Sequence, residues 1–261
     1  MTGPRLPAEP LDSAEHLSVA LAAAAILSLL LRTLIWAGLR IRLRPSRPGP
    51  ELPALAAVGM AVLFGGLTWA VLMAGGVTDF DAAVSVYLAL YRVPWLLHGF
   101  LWLTTLGTSA ALAGVAATAT GFLWVHHRSG LILPLWVTFT GAQTTVWIAK
   151  YAIGRARPVF LEGLATALSP SFPSAHATGA AATFGFVAYA VARDLGPRQR
   201  REIAYWTAVL IALIGFSRVI LGVHFATDVA GGFLLGGIWL LIGIALARWA
   251  RLTNRAAVPH R

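Results

Sequence analysis

A chain with several uninterrupted apolar runs of about 18 residues or more has few folds open to it. A bilayer core offers the backbone no hydrogen-bonding partner, and only structures that pair every N–H and C=O internally can cross it. Runs of this kind recur at residues 17–38, 53–75, 131–150, 203–221 and 229–249, with a slightly shorter one at 176–192. At 261 residues, 58% hydrophobic and 11% charged, the chain is too apolar for a soluble domain and too long for a single anchor. These features predict an all-α fold: a polytopic integral membrane helical bundle with about seven transmembrane helices and a short interfacial helix.

The breaks between runs set the organisation. Residues 1–52 comprise a polar tail, a first membrane helix and a basic, proline-rich loop; residues 53–249 form the core domain; residues 250–261 are a basic tail. Residues 78–92 place Asp81, Ser85 and Arg92 among Val84, Leu88 and Tyr91, the pattern of an amphipathic helix lying on the outer surface. The run 93–125 is too long for one straight crossing, and Thr105, Leu106, Gly107 and Thr108 divide it into an interfacial segment and a true span. The run at 17–38 is too long, and its amino-terminal flank too poor in positive charge, for a cleaved signal peptide.

The formal charge of +10 comes from arginines in the short gaps between spans, so it reports membrane topology and not nucleic-acid binding. The loops at 40–47 and 193–201, the tail after 247, and Arg128 fall on one side, while Glu9, Asp12, Glu15, Asp79, Asp81 and Glu162 fall on the other. By the positive-inside rule, the arginine-rich side is cytoplasmic in a multi-pass protein of the cell membrane. Trp36, Trp124, Trp206 and Trp249 near inner ends and Trp147 near an outer end match interfacial aromatic belts.

There is no cysteine, which leaves histidine, serine and carboxylates to carry any chemistry. Of the 20 basic residues 19 are arginine, and the one lysine, Lys150, falls at an outer helix end where arginine would serve for simple snorkelling. Three polar clusters converge on the outer side: K-Y-A-I-G-R-A-R-P at 150–158, S-F-P-S-A-H at 171–176, and S-R-V-I-L-G-V-H-F-A-T-D at 217–228. If the helix carrying Lys150 continues to Pro158, Lys150 and Arg157 lie two turns apart on one face, with Arg155 on another. Ser174 can cap the helix that follows and leave its N–H groups free for an anion, or it can be a plain cap beside an interfacial His176. His224 and Asp228, four apart, are neighbours on a helical face; the carboxylate can accept from the imidazole and fix its free nitrogen, or the pair can be purely structural. Gly222 marks a break between Arg218 and His224.

Three cations, Lys150, Arg157 and Arg218, without matching carboxylates call for an anion, and a phosphate group suits arginine forks best. Two-metal hydrolysis needs several carboxylates where only Asp228 and Glu162 are near, so no metal and no other cofactor is expected. Without cysteine or metal, a side chain such as histidine must attack, and two histidines allow one to attack while the other protonates the leaving oxygen.

The three clusters resemble the signature of the type 2 phosphatidic acid phosphatase superfamily: K-x6-R-P, then P-S-x-H, then S-R-x5-H-x3-D. The positions are met by Lys150 with Arg157 and Pro158, by Pro173, Ser174 and His176, and by Ser217, Arg218, His224 and Asp228. The resemblance implies a six-helix membrane core, so that the run at 17–38 is extra. It also implies that His224 forms a phosphohistidine, oriented by Asp228, and that His176 protonates the leaving group and then activates water. Lys150, Arg157, Ser174, Ala175 and Arg218 would hold the phosphate; Ala175 departs from the glycine common at that position. The expected activity is metal-independent hydrolysis of a lipid phosphate or diphosphate at the outer leaflet, of the isoprenoid diphosphate, phosphatidylglycerophosphate or phosphatidic acid class. A lipid-linked phosphotransferase with the same phosphohistidine and a headgroup transporter are the rival readings, and transporters place their sites nearer the bilayer midplane.

Overall fold

The apolar runs become helices in the computed structural model, which describes residues 50–158 and 169–256. In chain order these are α1 Glu51–Leu72, α2 Gly76–Ala89, α3 Pro94–Thr105, α4 Ser109–Val125, a 3₁₀ turn Ser129–Leu131 leading into α5 Ile132–Ile153, α6 Ala175–Ala192, α7 Pro197–Ile220 and α8 Ala226–Ala256. No strand occurs among the described residues. Five of the helices are long and apolar enough to cross a membrane; α3 and α4, bent by 47° at a short break, make a sixth crossing when taken together. The chain is a multi-span membrane protein. The expected first span at 17–38, the basic loop preceding residue 50, Glu162 and the tail from 257 on lie outside the described residues.

Caps and breaks follow from local chemistry. The Thr108 hydroxyl accepts from Ala111 N at the start of α4, and Ser174 does the same for Ala177 N at the start of α6. Proline begins α3 and α7, where its missing N–H costs nothing. Trp124, Trp206 and Trp249 at one end of the bundle and Trp147 toward the other are exposed, as lipid-facing belts require.

A seam of small residues holds the centre. On α8, a methyl group added to Gly236 would stand 2.4 Å from Thr178 O, and one on Gly232 would stand 2.7 Å from Ser174 O. The facing residues Ala177, Ala180 and Ala181 of α6 are buried. With lipid as solvent there is no hydrophobic force between helices, so close backbone approach supplies the association energy through dispersion. The seam also brings the first turns of α6 and α8 together, where Ser174 N donates to Asp228 O at 2.9 Å.

The amphipathic pattern at 78–92 forms α2, but with its faces reversed. Asp81 and Ser85 are the buried residues of this helix, while Phe80, Val86 and Tyr87 are exposed. In a membrane the polar face turns to protein and the apolar face to lipid.

The seam predicts that Gly236→Leu will destabilise the protein by about 1–3 kcal/mol through overpacking, read as a lowered Tm in detergent. Gly121→Leu, whose added Cβ meets no atom within 4 Å, should leave Tm unchanged. Equal Tm values for the two variants would show that the α6–α8 approach is not tight.

Candidate active site

The site is built on the turn between α7 and α8. Gly222, with φ 70°, reverses the chain after α7, and the N–H groups of Val223 and His224 both donate to Arg218 O at 3.2 Å. Arg92, from the α2–α3 connection, donates to Ile220 O at 2.8 Å and packs so closely that a Cβ on Gly222 would lie 3.0 Å from its Nη2. Left-handed backbone and crowding together require glycine here. This turn swings His224 back over the first turn of α8.

His224 is 2% exposed, and its Nδ1 lies 3.2 Å from Asp228 Oδ2. That same oxygen accepts from Phe225 N at 2.8 Å, half of a capping box at the start of α8, and from the Ser171 hydroxyl in a short bond. A carboxylate oxygen facing Nδ1 places the ring proton on Nδ1 and the lone pair on Nε2. Burial, opposed by the hydrogen bond and charge of Asp228, lowers the His224 pKa to about 4, so the ring is neutral at pH 7 with its lone pair on Nε2. Since the unfolded chain takes this proton near 6.5, the linked stability is lost as pH falls from there toward 4 and is constant above it.

Three cations lie within electrostatic reach of one another, and one of them reaches Nε2. Arg157 Nη1 is 3.3 Å from it and also donates to Val223 O at 2.6 Å, while Nε and Nη2 reach Ser169 O and Oγ at 2.8 and 3.1 Å. Lys150 is 1% exposed, and its Nζ donates to Pro170 O at 2.5 Å and Ser171 O at 3.1 Å. Arg218 Nη1 donates to Thr104 Oγ1 at 2.8 Å, and its buried Nε makes no hydrogen bond among the described residues. A buried donor of that kind is satisfied by an anion lying against it. His176, half-buried in the first turn of α6, is within electrostatic reach of Arg218, His224, Arg157 and Lys150. It packs on the α3–α4 break, where a Cβ on Gly107 would come within 2.9 Å of His176 Cδ2. Ala175 opens α6 beside it, directly after the buried N-cap Ser174. No three His, Asp or Glu side chains among the described residues are grouped to hold a metal ion.

The fold therefore gathers all three clusters, by a route that differs in one respect from the sequence expectation. Helix α5 stops at Ile153, with Gly154 left-handed at φ 67° and its N–H on Lys150 O, so Lys150 and Arg157 do not share a helical face. The irregular segment after Gly154 carries Arg157 to the site instead, and it turns Arg155 toward two carboxylates. Arg155 Nη1 meets Asp228 Oδ1 at 2.7 Å and Nη2 meets Asp81 Oδ2 at 2.7 Å. Asp81, Ser171 and Thr227 were not legible as site residues. Ser171 and Thr227 lay inside two of the clusters, and Asp81 shared its helix with Asp79 in a pattern that pointed to water.

A sequence model of the PAP2 superfamily matches residues 102–252, which contain all three clusters. Phosphatidylglycerophosphatase B of Bacillus subtilis (strain 168) is 33% identical over 158 residues, covering 60% of this chain and 77% of that protein. The crystal structure of a transmembrane PAP2 type phosphatidylglycerolphosphate phosphatase from Bacillus subtilis superposes with a TM-score of 0.68 at 28% identity, covering 78% of this chain and 98% of the other.

The buried, Asp228-bound ring makes a spectroscopic prediction. In protein labelled with ¹⁵N-histidine, the resonances lost in His224→Gln should show the Nδ1–H tautomer at pH 7 and titrate with a midpoint near 4. A midpoint near 6.5, the ordinary value, would mean that the ring is solvated.

Proposed function

The chain belongs to the PAP2 superfamily and is a membrane lipid phosphatase, and on that premise we propose that it hydrolyses phosphatidylglycerophosphate at the outer leaflet through a phosphohistidine on His224. The observation that carries the mechanism is the His224 ring: neutral, with Nδ1 on Asp228 and the Nε2 lone pair beside Arg157. What supports this substrate is the name that the Bacillus subtilis sequence relative and structural neighbour carry.

In this reading the phosphate monoester enters with its oxygens among Lys150, Arg157 and Arg218, and with the Ser174 hydroxyl and the Ala175 N–H at the start of α6. The helix terminus favours the anion. Nε2 attacks phosphorus, the bond from phosphorus to the ester oxygen breaks, and that oxygen takes a proton from the imidazolium form of His176. The ring now carries positive charge, which Asp228 stabilises while Nδ1 keeps its proton. Water then attacks the phosphohistidine, giving its proton to His176, and inorganic phosphate and neutral His224 are restored. The charge developing on the transferred group falls on three fixed cations, so no metal is required.

The outer-leaflet position rests on charge. The site lies at the ends of α5 and α7 and the starts of α6 and α8, while Arg128, Arg193, Arg198, Arg200, Arg201 and Arg251 lie at or near the other ends of these helices. The positive-inside rule places that other end in the cytoplasm.

A panel of phosphatidylglycerophosphate, phosphatidic acid and an isoprenoid diphosphate, assayed in detergent with chelator present, tests the reading. Phosphatidylglycerophosphate should give the highest kcat/KM, undiminished by chelator, and His224→Ala should lower it by about 10³-fold or more. Wild-type rates in His224→Ala would remove the nucleophile; a preference for another member of the panel would replace the substrate.

A further inference from the structure

Arg155 has no part in the chemistry above, yet among the described residues near the site it is the cation that bridges two buried carboxylates. Nη1 donates to Asp228 Oδ1 at 2.7 Å and to Thr227 Oγ1 at 2.8 Å, and Nη2 donates to Asp81 Oδ2 at 2.7 Å. Its guanidinium lies over the Phe225 ring, 4.4 Å from the centroid. The side chain is 11% exposed and both carboxylates are 0% exposed. Asp81 in turn accepts from Thr227 N at 3.0 Å and from the Thr227 hydroxyl in a short bond.

We propose that Arg155 and Asp81 are positioning residues for the reaction: Asp81 orients the Arg155 guanidinium, and Arg155 fixes and charge-balances Asp228, which holds His224 in its reactive tautomer. The proposal rests on the reading of His224 as nucleophile. Three facts lead to it. First, a buried carboxylate needs a countercharge. In the resting site His224 is neutral and Lys150 donates to carbonyls, so the ion pair available to Asp228 is the one with Arg155. Second, the two oxygens of Asp228 divide the work. Oδ2 takes Nδ1, Phe225 N and Ser171, and Oδ1 takes Arg155, so that removing Arg155 frees the carboxylate to rotate or to capture a proton. Third, the bridge between two carboxylates suits the planar fork of arginine. A lysine ammonium in its place would act as a compact point charge without that fixed geometry.

Asp81 lies on α2, outside every cluster that carries the phosphate chemistry, and reaches the site only through Arg155 and Thr227. It thereby ties α2 to the orientation of the nucleophile.

The test compares wild type with Arg155→Gln, Arg155→Lys, Asp81→Asn and the Arg155→Gln/Asp81→Asn pair, using the best substrate of the panel above and ¹⁵N-histidine spectra. Arg155→Gln and Asp81→Asn should each lower kcat by about 10- to 100-fold, with KM held within about twofold because neither residue touches phosphate. Arg155→Lys should recover part of the loss, and the pair should be no worse than Arg155→Gln alone, since Asp81 acts through Arg155. His224 in Arg155→Gln should no longer show a single Nδ1–H tautomer at pH 7. A raised KM at full kcat would make Arg155 a phosphate ligand. A lowered Tm with kcat and the His224 spectrum unchanged would make the bridge merely structural; either result overturns the proposal. If Arg155→Gln does not fold, Arg155→Lys and Asp81→Asn carry the same comparison. The spectra do not depend on turnover, so an active His224→Ala enzyme would sink the nucleophile and still leave the positioning of the ring measurable.

Discussion

Asp228 is the residue on which the arrangement turns. A carboxylate with no solvent exposure in a membrane protein is among the most costly groups a fold can bury, and it is tolerated only when every oxygen is paired. Here the donors come from separate pieces of chain: Phe225 and His224 at the start of α8, Ser171 before α6, and Arg155 after α5. The backbone carbonyl of the same residue accepts from Ser174 N. Satisfying one charge thus fixes three loops at once. Arg157 rides on the same loop as Arg155, and Lys150 and Arg218 stand near the ends of α5 and α7 that these loops join, so the geometry of the pocket depends on the pairing of Asp228.

The lipid environment explains why such pairing is compatible with a helical bundle. Glycines of α8 let α6 approach to backbone contact, and that contact sets the first turns of the two helices side by side. Gly107 similarly admits His176, and Gly222 admits Arg92. In each case a missing side chain places a charged or polar one. The cost of the buried charges is met by hydrogen bonds among themselves, since the surrounding acyl chains can offer none.

The sequence alone carried the helical class, the break near Gly107, the turn at Gly222 and the three clusters, because apolar run length, glycine and charge in an apolar setting are local signals. Two things escaped it. One was the end of α5: a helical face was assumed to run from Lys150 to Arg157, whereas Gly154 stops the helix and the two cations meet through the loop. The other was the inward layer of Asp81, Thr227 and Arg155, whose members are 72, 74 and 146 positions apart in the pairs that join them. Spacing cannot report contacts of that range. Asp81 also misled by its helix: an amphipathic pattern reads as a polar face toward water, and in a bilayer that face turned to protein.

The central claim is a covalent bond between His224 Nε2 and phosphorus. Rapid acid-free quenching of the enzyme with ³²P-labelled phosphatidylglycerophosphate, followed by peptide mapping at alkaline pH where phosphohistidine survives, measures it directly. Label is expected on the peptide containing His224 and is expected to be absent in His224→Gln. Label on His176 or on Ser174, or turnover with no labelled peptide at any quench time, would contradict it.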